Sequence, residues 1–415
     1  MRWHRHRLLA WTLAGVVLWL VGYPVLITFM EALGFPQKLS LGHFAEFARY
    51  GGEWRALWNS LWISALSVLL SAAVGIPLGF VFERTDVPGR RTLGSLIALP
   101  VALPPLVGVI AFLFLYGESG FASRGLQNLL GLSRPPWRLV GPGEILLVHA
   151  YSMYVYFYLF TRASLARLDS SLLEAASSLG AGRWRTLWRV VLPLLSPALT
   201  GAALLTFMTS LASFSAPYIF GGGFRVMTTQ IVASKLNGET AMAQVETITL
   251  ASMALLGLWI MRLIDSGDTA MVGGVRGLAP SRRVFASRSA RVSATLLGWG
   301  LALLLLLPHF TLILISFVPP GTWTVESVPP ILNGDNYASL WSQPERLRPV
   351  ANSLWMSVVA TLGAVALGLA VARQSIKAGG SLGRALETLI ALPWALPGTV
   401  FAVALATTFA VDAPL

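Results

Sequence analysis

Glu174-Ala175-Ala176, then three residues and Gly180, then nine residues and Val190-Val191-Leu192-Pro193, form the most distinctive string in the chain. Its residue types suit a mechanical task, a short rigid helix that serves as a lever. Ser171-Leu172-Leu173-Glu174 matches the capping box S-x-x-E, with Ser171 as N-cap and Glu174 at the third helical position. Ala175 and Ala176 favour helix and carry little bulk, so another protein can approach them closely. Gly180 can take positive φ and end that helix. Arg183, Arg185 and Arg189 follow, and Leu192, Pro193 and Pro197 mark re-entry into apolar sequence. The spacing predicts a short rigid helix on which a second protein can seat.

A second set of candidates lies inside apolar blocks. An ionisable residue within such a block is a functional hypothesis by default. His149, with Tyr151, Ser213 and Ser215, supplies polar groups to a candidate solute pathway. A lone histidine equally serves hydrogen bonding between helices. Tyr151, Tyr154, Tyr156 and Tyr158 crowd one block, where packing is the expected role. Charge is otherwise sparse: Glu144 and Arg162 stand at the ends of that block, and His149 and His309 are the titratable groups expected inside, tyrosines apart. No carboxylate relay is expected. No His or carboxylate cluster suits iron or another metal. There is no Cys, which excludes disulfides and thiol chemistry. None of the three lysines (Lys38, Lys235, Lys377) follows a glycine, so there is no G-x-x-x-x-G-K-[ST] phosphate loop. Neither a catalytic residue nor a bound cofactor is expected; any ATP must be held by another chain.

The elements that position these residues are membrane spans. Apolar residues make up 55% of the 415 and charged residues 12%, where a soluble domain carries about 25% charge. Blocks of about 20 apolar residues recur, enough to cross about 30 Å of hydrocarbon. Nine spans are predicted, at 9–30, 58–82, 93–116, 144–163, 194–220, 245–263, 295–318, 352–373 and 386–410. The basic start Met1-Arg2-Trp3-His4-Arg5-His6-Arg7 precedes an apolar run too long and bulky for a cleaved signal. It predicts a cytoplasmic N-terminus. The loops 83–92, 164–193, 264–294 and 374–385 then face the cytoplasm and are rich in Arg, and the net charge of +12 resides largely in short loops between apolar blocks. That charge needs no nucleic-acid partner; lipid is the expected surroundings.

The chain repeats itself. Asn59-Ser60-Leu61-Trp62 recurs as Asn352-Ser353-Leu354-Trp355, and Leu96 to Pro100 with Ala102-Leu103-Pro104 recurs as Leu389 to Pro393 with Ala395-Leu396-Pro397. One offset of 293 serves both. Residues 59–104 and 352–397 share 18 of 46 positions, well above the roughly one in eight expected of unrelated apolar helices. Six spans separate the copies, so they share an orientation, and the prolines predict a kink in each. The domains read as a first half at 1–263 with the capped loop at 169–193, a basic linker at 264–294 and a partial second half at 295–415. A second E-A-A string is expected about 70 residues beyond Pro397 on the scale of the first half, past Leu415. A truncated chain, or one completed by a companion, is the expectation.

The string Glu174-Ala175-Ala176…Gly180…Leu192-Pro193, with its repeat, resembles the EAA loop of ABC importer permeases of the binding-protein-dependent type. The two-half layout is similar to the ferric-iron permeases and their thiamine and phosphonate relatives. The resemblance implies an all-α polytopic bundle of the MetI-like permease fold, one full six-span half plus the first three spans of a parallel repeat. It implies a multi-pass protein of the bacterial inner membrane. Its partners would be cytoplasmic ATPase subunits, two in number, and a periplasmic or lipid-anchored solute-binding protein. It implies uptake of ferric iron or a similar small solute by alternating access. A secondary transporter or channel without ATPase, or a non-transporting fragment, is the alternative.

Overall fold

Within hydrocarbon, no water is available to backbone N–H and C=O groups, so a spanning segment must satisfy them itself. The computed structural model follows that rule: it describes residues 2–35, 38–265, 282, 284–285, 287–323 and 326–409, and among these it contains helices and turns but no strand. The helices are α1 (Arg2–Val17), α2 (Tyr23–Ala32), α3 (Gly42–Arg49), α4 (Gly51–Arg84), α5 (Arg90–Ala98), α6 (Pro105–Tyr116) and α7 (Phe121–Leu129). Then come α8 (Pro142–Arg167), α9 (Ser170–Ser178), α10 (Arg183–Thr186), α11 (Leu192–Leu211), α12 (Ser215–Phe220), α13 (Met227–Leu236) and α14 (Thr240–Asp265). The last are α15 (Arg288–Ser316), α16 (Asp335–Ser342), α17 (Pro344–Ala378), α18 (Gly380–Ala395) and α19 (Gly398–Thr408). Single π turns join α1 to α2 and α10 to α11, and a 3₁₀ turn at Leu99–Ala102 follows α5.

Among the described residues, seven helices are long and apolar enough to cross a membrane, and the bent pair Gly380–Pro393 and Gly398–Thr408 would make an eighth. The predicted span 144–163 falls on α8, which is 26 residues long but not among the seven. Its histidine and tyrosines lower its hydropathy. They are tolerated because α8 is a core helix with ten buried residues, and its polar groups meet protein rather than lipid. The predicted span 194–220 is shorter than expected: α11 ends at Leu211, and α12 is a separate helix.

Most of the predicted linker 264–294 lies outside the described residues, as do residues 410–415 at the chain's end. Of its ends, Asp265 belongs to α14, and residues from Arg288 belong to α15.

The described chain groups into two units. The first comprises 1–57, 227–255 and 315–415. Its core joins Ala10, Val17 and Val21 to Val371 and Leu386, so α1 packs on α17 and α18, and Trp19 meets Phe409 edge-on at 5.4 Å. The second comprises 58–226 and 256–314. Here α8 packs on α11, α5 and α6, around Phe82, Leu93, Ile97, Tyr154 and Tyr158. Close approach of α4 to α8 depends on glycine. A Cβ on Gly75 would lie 2.3 Å from the Tyr154 carbonyl oxygen, and one on Gly79 would lie 2.7 Å from Thr161. Small residues at such crossings let spans pack by van der Waals contact.

The predicted kinks are full breaks. After α5 and its 3₁₀ turn, Leu103 and Pro104 are extended (ψ 127° and 138°) before α6 begins. Proline offers no N–H to the preceding turn and disfavours helix in the residue before it. Two carbonyls of α5 take donors from α8: Tyr154 Oη donates to the Ile97 carbonyl at 2.5 Å and Tyr158 Oη to that of Gly94 at 2.9 Å.

Candidate functional site

The loop between α8 and α11 builds the first candidate site. Leu168 is extended and ends α8, and Asp169, also extended, caps α9: its Oδ1 accepts from the Ser171 N–H at 3.0 Å. This corrects the expected cap. Ser171 sits inside the first turn, and the capping box with Glu174 does not form. Asp169 is the stronger competitor because its carboxylate also suits the positive end of a helix.

The other end matches expectation. Gly180 has φ +73°, its N–H donates to Ser177 O at 2.9 Å and the Ala181 N–H donates to Ala176 O at 3.0 Å. Those two bonds form a Schellman closure, which needs the left-handed residue at Gly180. Between the caps, Ala176 is buried while Glu174 and Ala175 are exposed. Leu192 is half-buried and Pro193 exposed at the start of α11. Pro193 follows closely on the π turn Leu187–Val191, where the regular helical ladder is already interrupted.

Around this helix the surface is unusually apolar for a charged loop: Leu179 is 87% exposed, Trp184 73% and Trp188 65%. Such rings beside Arg183, Arg185 and Arg189 have the composition of a partner-binding surface. Cavities flank α9 on both sides. One of about 670 Å³ is lined by Phe80, Leu165, Leu173, Ser177 and Trp184. Another of about 780 Å³ is lined by Phe160, Ser171, Leu172, Leu194 and Pro197. A helix held at its ends with space beside it can tilt as a unit.

Charges anchor the same end of the unit. Glu83, the penultimate residue of α4, accepts from Arg162 Nε at 3.4 Å and from Arg282 Nη2 at 3.3 Å. Asp86 Oδ1 accepts from the Phe285 N–H at 3.1 Å. Burial, and then the Arg282 charge, hold the Arg90 guanidinium below its ordinary value.

The second candidate set is brought together only in part. His149 is 2% exposed. Its Nδ1 lies 2.9 Å from Ser67 Oγ and 3.1 Å from Ser210 Oγ, and its Nε2 lies 2.9 Å from Ser213 Oγ. Ser67 Oγ already donates to Ile63 O at 2.7 Å, and Ser210 Oγ donates to Ser67. The ring thus bridges Ser67 and Ser210 on its Nδ1 side and Ser213 on its Nε2 side. The cluster is a polar bolt through α4, α8 and α11. Tyr151 turns elsewhere, donating to Leu305 O at 2.7 Å with His309 Nδ1 3.4 Å away. Ser215 opens α12 and takes no part in this network.

Sequence reasoning missed a buried carboxyl pair. No buried carboxylate is expected, yet Glu246, inside the predicted span 245–263, and Glu53, ahead of the predicted span 58–82, are 0% and 3% exposed. Gln230 Nε2 donates to Glu53 Oε1 at 2.9 Å and Ser234 Oγ to Glu246 Oε1 at 2.7 Å. Gln230 and Ser234 are one helical turn apart, a spacing visible in the sequence, but nothing there brings α13 to Glu53.

Comparison with known proteins fits this geometry. A family model described as the binding-protein-dependent transport system inner membrane component matches residues 75–267, which include the whole α9 loop. A probable ABC transporter permease protein, y4fN, of Sinorhizobium fredii is 29% identical across 98% of this chain and 72% of its own length. The molybdenum transport system permease protein ModB of Escherichia coli is 32% identical over 51% of this chain and 94% of its own. A putative ferric transport system permease protein, FbpB 1, of Haemophilus influenzae is 29% identical over 87% of this chain; the match spans 57% of that relative's length. Among solved structures, a bacterial ABC transporter that imports alginate aligns with 64% of this chain and 97% of its own at TM-score 0.53 and 21% identity, a likeness of fold.

Proposed function

The chain belongs to the family of binding-protein-dependent transport system inner membrane components, and we propose that it is a permease subunit of an ATP-driven importer whose ATPase seats on α9. The observation that carries this reading is the helix itself, capped by Asp169, closed at Gly180 and exposing Glu174, with Trp184 and Trp188 exposed on the turns that follow it. Closure of an ATPase pair would push on α9. The flanking π turn and α11 would pass that movement to the spans. A binding protein on the opposite face would deliver the solute. The N-terminus and the α9 loop are assigned to the cytoplasmic side.

Ferric iron is the proposed solute, in line with the ferric transport relatives. Molybdate is the competitor that the ModB likeness raises. The test is co-expression with the ATPase subunit, co-purification and uptake. Glu174→Lys and Gly180→Pro should weaken ATPase association and uptake while leaving membrane insertion intact. Gly180→Pro is the sharper change, because proline fixes φ near −65° and removes the N–H that closes the helix. Full association and transport by both variants would disprove the docking role. Uptake of labelled ferric iron, molybdate or thiamine in the reconstituted system would identify the solute, and uptake without ATP would favour a secondary transporter.

A further inference from the structure

Glu246 stands in the second turn of α14, with no exposed surface. Its Oε1 accepts from Ser234, and its Oε2 is buried without a hydrogen-bond partner. The carboxyl of Glu53, from the first turn of α4, touches it. Glu53, Ser234 and Gln230 are the groups that act on Glu246, one carboxyl and two donors. Two further charged side chains on the helices of this unit have partners of their own. Lys235, next to Ser234 on α13, reaches Thr407 Oγ1 at 3.5 Å, and Glu31 of α2 accepts from Gln244 Nε2 at 3.0 Å.

Two carboxylates in contact away from water repel strongly, and each ion bears a desolvation cost. A proton on one converts the contact into a short hydrogen bond to the other. A divalent metal fits poorly: Ca²⁺ and Mg²⁺ take about six or more oxygen ligands. Here Gln230 aims an N–H at the pair and Ser234 an O–H, and among the described residues no three metal-binding side chains gather.

We infer that Glu246 carries a proton and donates it through Oε2 to Glu53, making the pair a proton-binding site that fastens α14 to the start of α4. Gln230 and Ser234 of α13 close the site. Each carboxyl then has hydrogen-bond partners, and loss of the proton would leave two adjoining buried anions and loosen the junction of the three helices.

Infrared spectroscopy of the full chain in lipid nanodiscs reads the proton directly. At neutral pH the parent should show a protonated-carboxyl C=O band, with a component lost in Glu246→Gln and kept in Glu46→Gln. The amide at 246 can donate to Glu53 in place of the proton, so this variant should fold. Its thermal midpoint should not fall at alkaline pH, whereas that of the parent should. A full band remaining in Glu246→Gln would overturn the proposal. So would the absence of any such band from the parent at neutral pH, a result that needs no variant. A parent band that appears only after chelation of divalent cations would identify a metal ion instead and would equally overturn it.

Discussion

Trp355 Nε1 donates to Asn352 Oδ1 at 3.2 Å. At the same offset of 293 that relates the repeated sequences, Trp62 Nε1 donates to Asn59 Oδ1, also at 3.2 Å. The repeat therefore extends to side-chain geometry. It extends to the backbone as well: Pro104 has φ −55° and ψ 138°, and Pro397 has φ −54° and ψ 136°. Each starts a new helix after an extended leucine. The surroundings are not repeated. Ile63 is 2% exposed, and its counterpart Met356 is 56% exposed.

That contrast separates two otherwise equivalent glycines. Gly75 faces the α8 backbone, whereas a Cβ on its counterpart Gly368 would meet nothing within 4 Å. Gly75→Ala should cost about 1–3 kcal/mol, because backbone cannot yield as a flexible side chain does. Gly368→Ala should be neutral or stabilising by up to about 1 kcal/mol, since alanine is the better helix former. Unfolding of each variant in detergent measures both. Equal losses would contradict the packing of α4 on α8.

Capping of α9 gives a second paired test. Asp169→Ala should remove about 1 kcal/mol from the helix start. Ser171→Ala should change little, because the Ser171 backbone N–H is the donor in that cap and its hydroxyl is not used. Amide exchange at Ser171 and Leu172 should rise in the first variant only. A rise confined to Ser171→Ala would restore the capping box.

His149→Leu should remove the ring's buried hydrogen bonds to Ser67, Ser210 and Ser213, at about 1–3 kcal/mol, and lower the thermal midpoint in detergent. Ser215→Ala should leave it unchanged. If His149→Leu instead keeps its stability but loses uptake, His149 serves the pathway rather than the bolt.

How far the sequence disclosed these features depended on the range of the interactions. Gly180's left-handed turn and the breaks before α6 and α19 are local, set by a glycine or proline and its neighbours. The family string around Glu174 is local too. The cap was misread because Asp169 and Ser171 are both good candidates two residues apart, and only backbone conformation decides between them. The span α8 was legible by length, but its tyrosines meet carbonyls of α5 more than 50 residues away. Glu53 and Glu246 were hidden for the same reason. Each looks like a residue at the wet end of a span until α13 covers it.

Glu83 offers the last test, because it ties the described end of the linker to the α4–α8 pair. Its side chain is 14% exposed, and it receives Arg162 and Arg282 together. Glu83→Ala removes both pairings and leaves Arg162, itself 29% exposed, without that carboxylate. Two effects are expected. The peptide around Arg282 should become more open to trypsin, with faster cleavage near Arg282-Arg283, the second of which lies outside the described residues. Stability should fall by about 1–3 kcal/mol, as a hydrogen-bonded charge loses its partner. The conservative Glu83→Asp should recover part of both. In parent and variant alike, cleavage should occur only when protease reaches the cytoplasmic face. Cutting at this site from the outer face of intact spheroplasts would reverse the assigned orientation and place α9 where no ATPase could reach it.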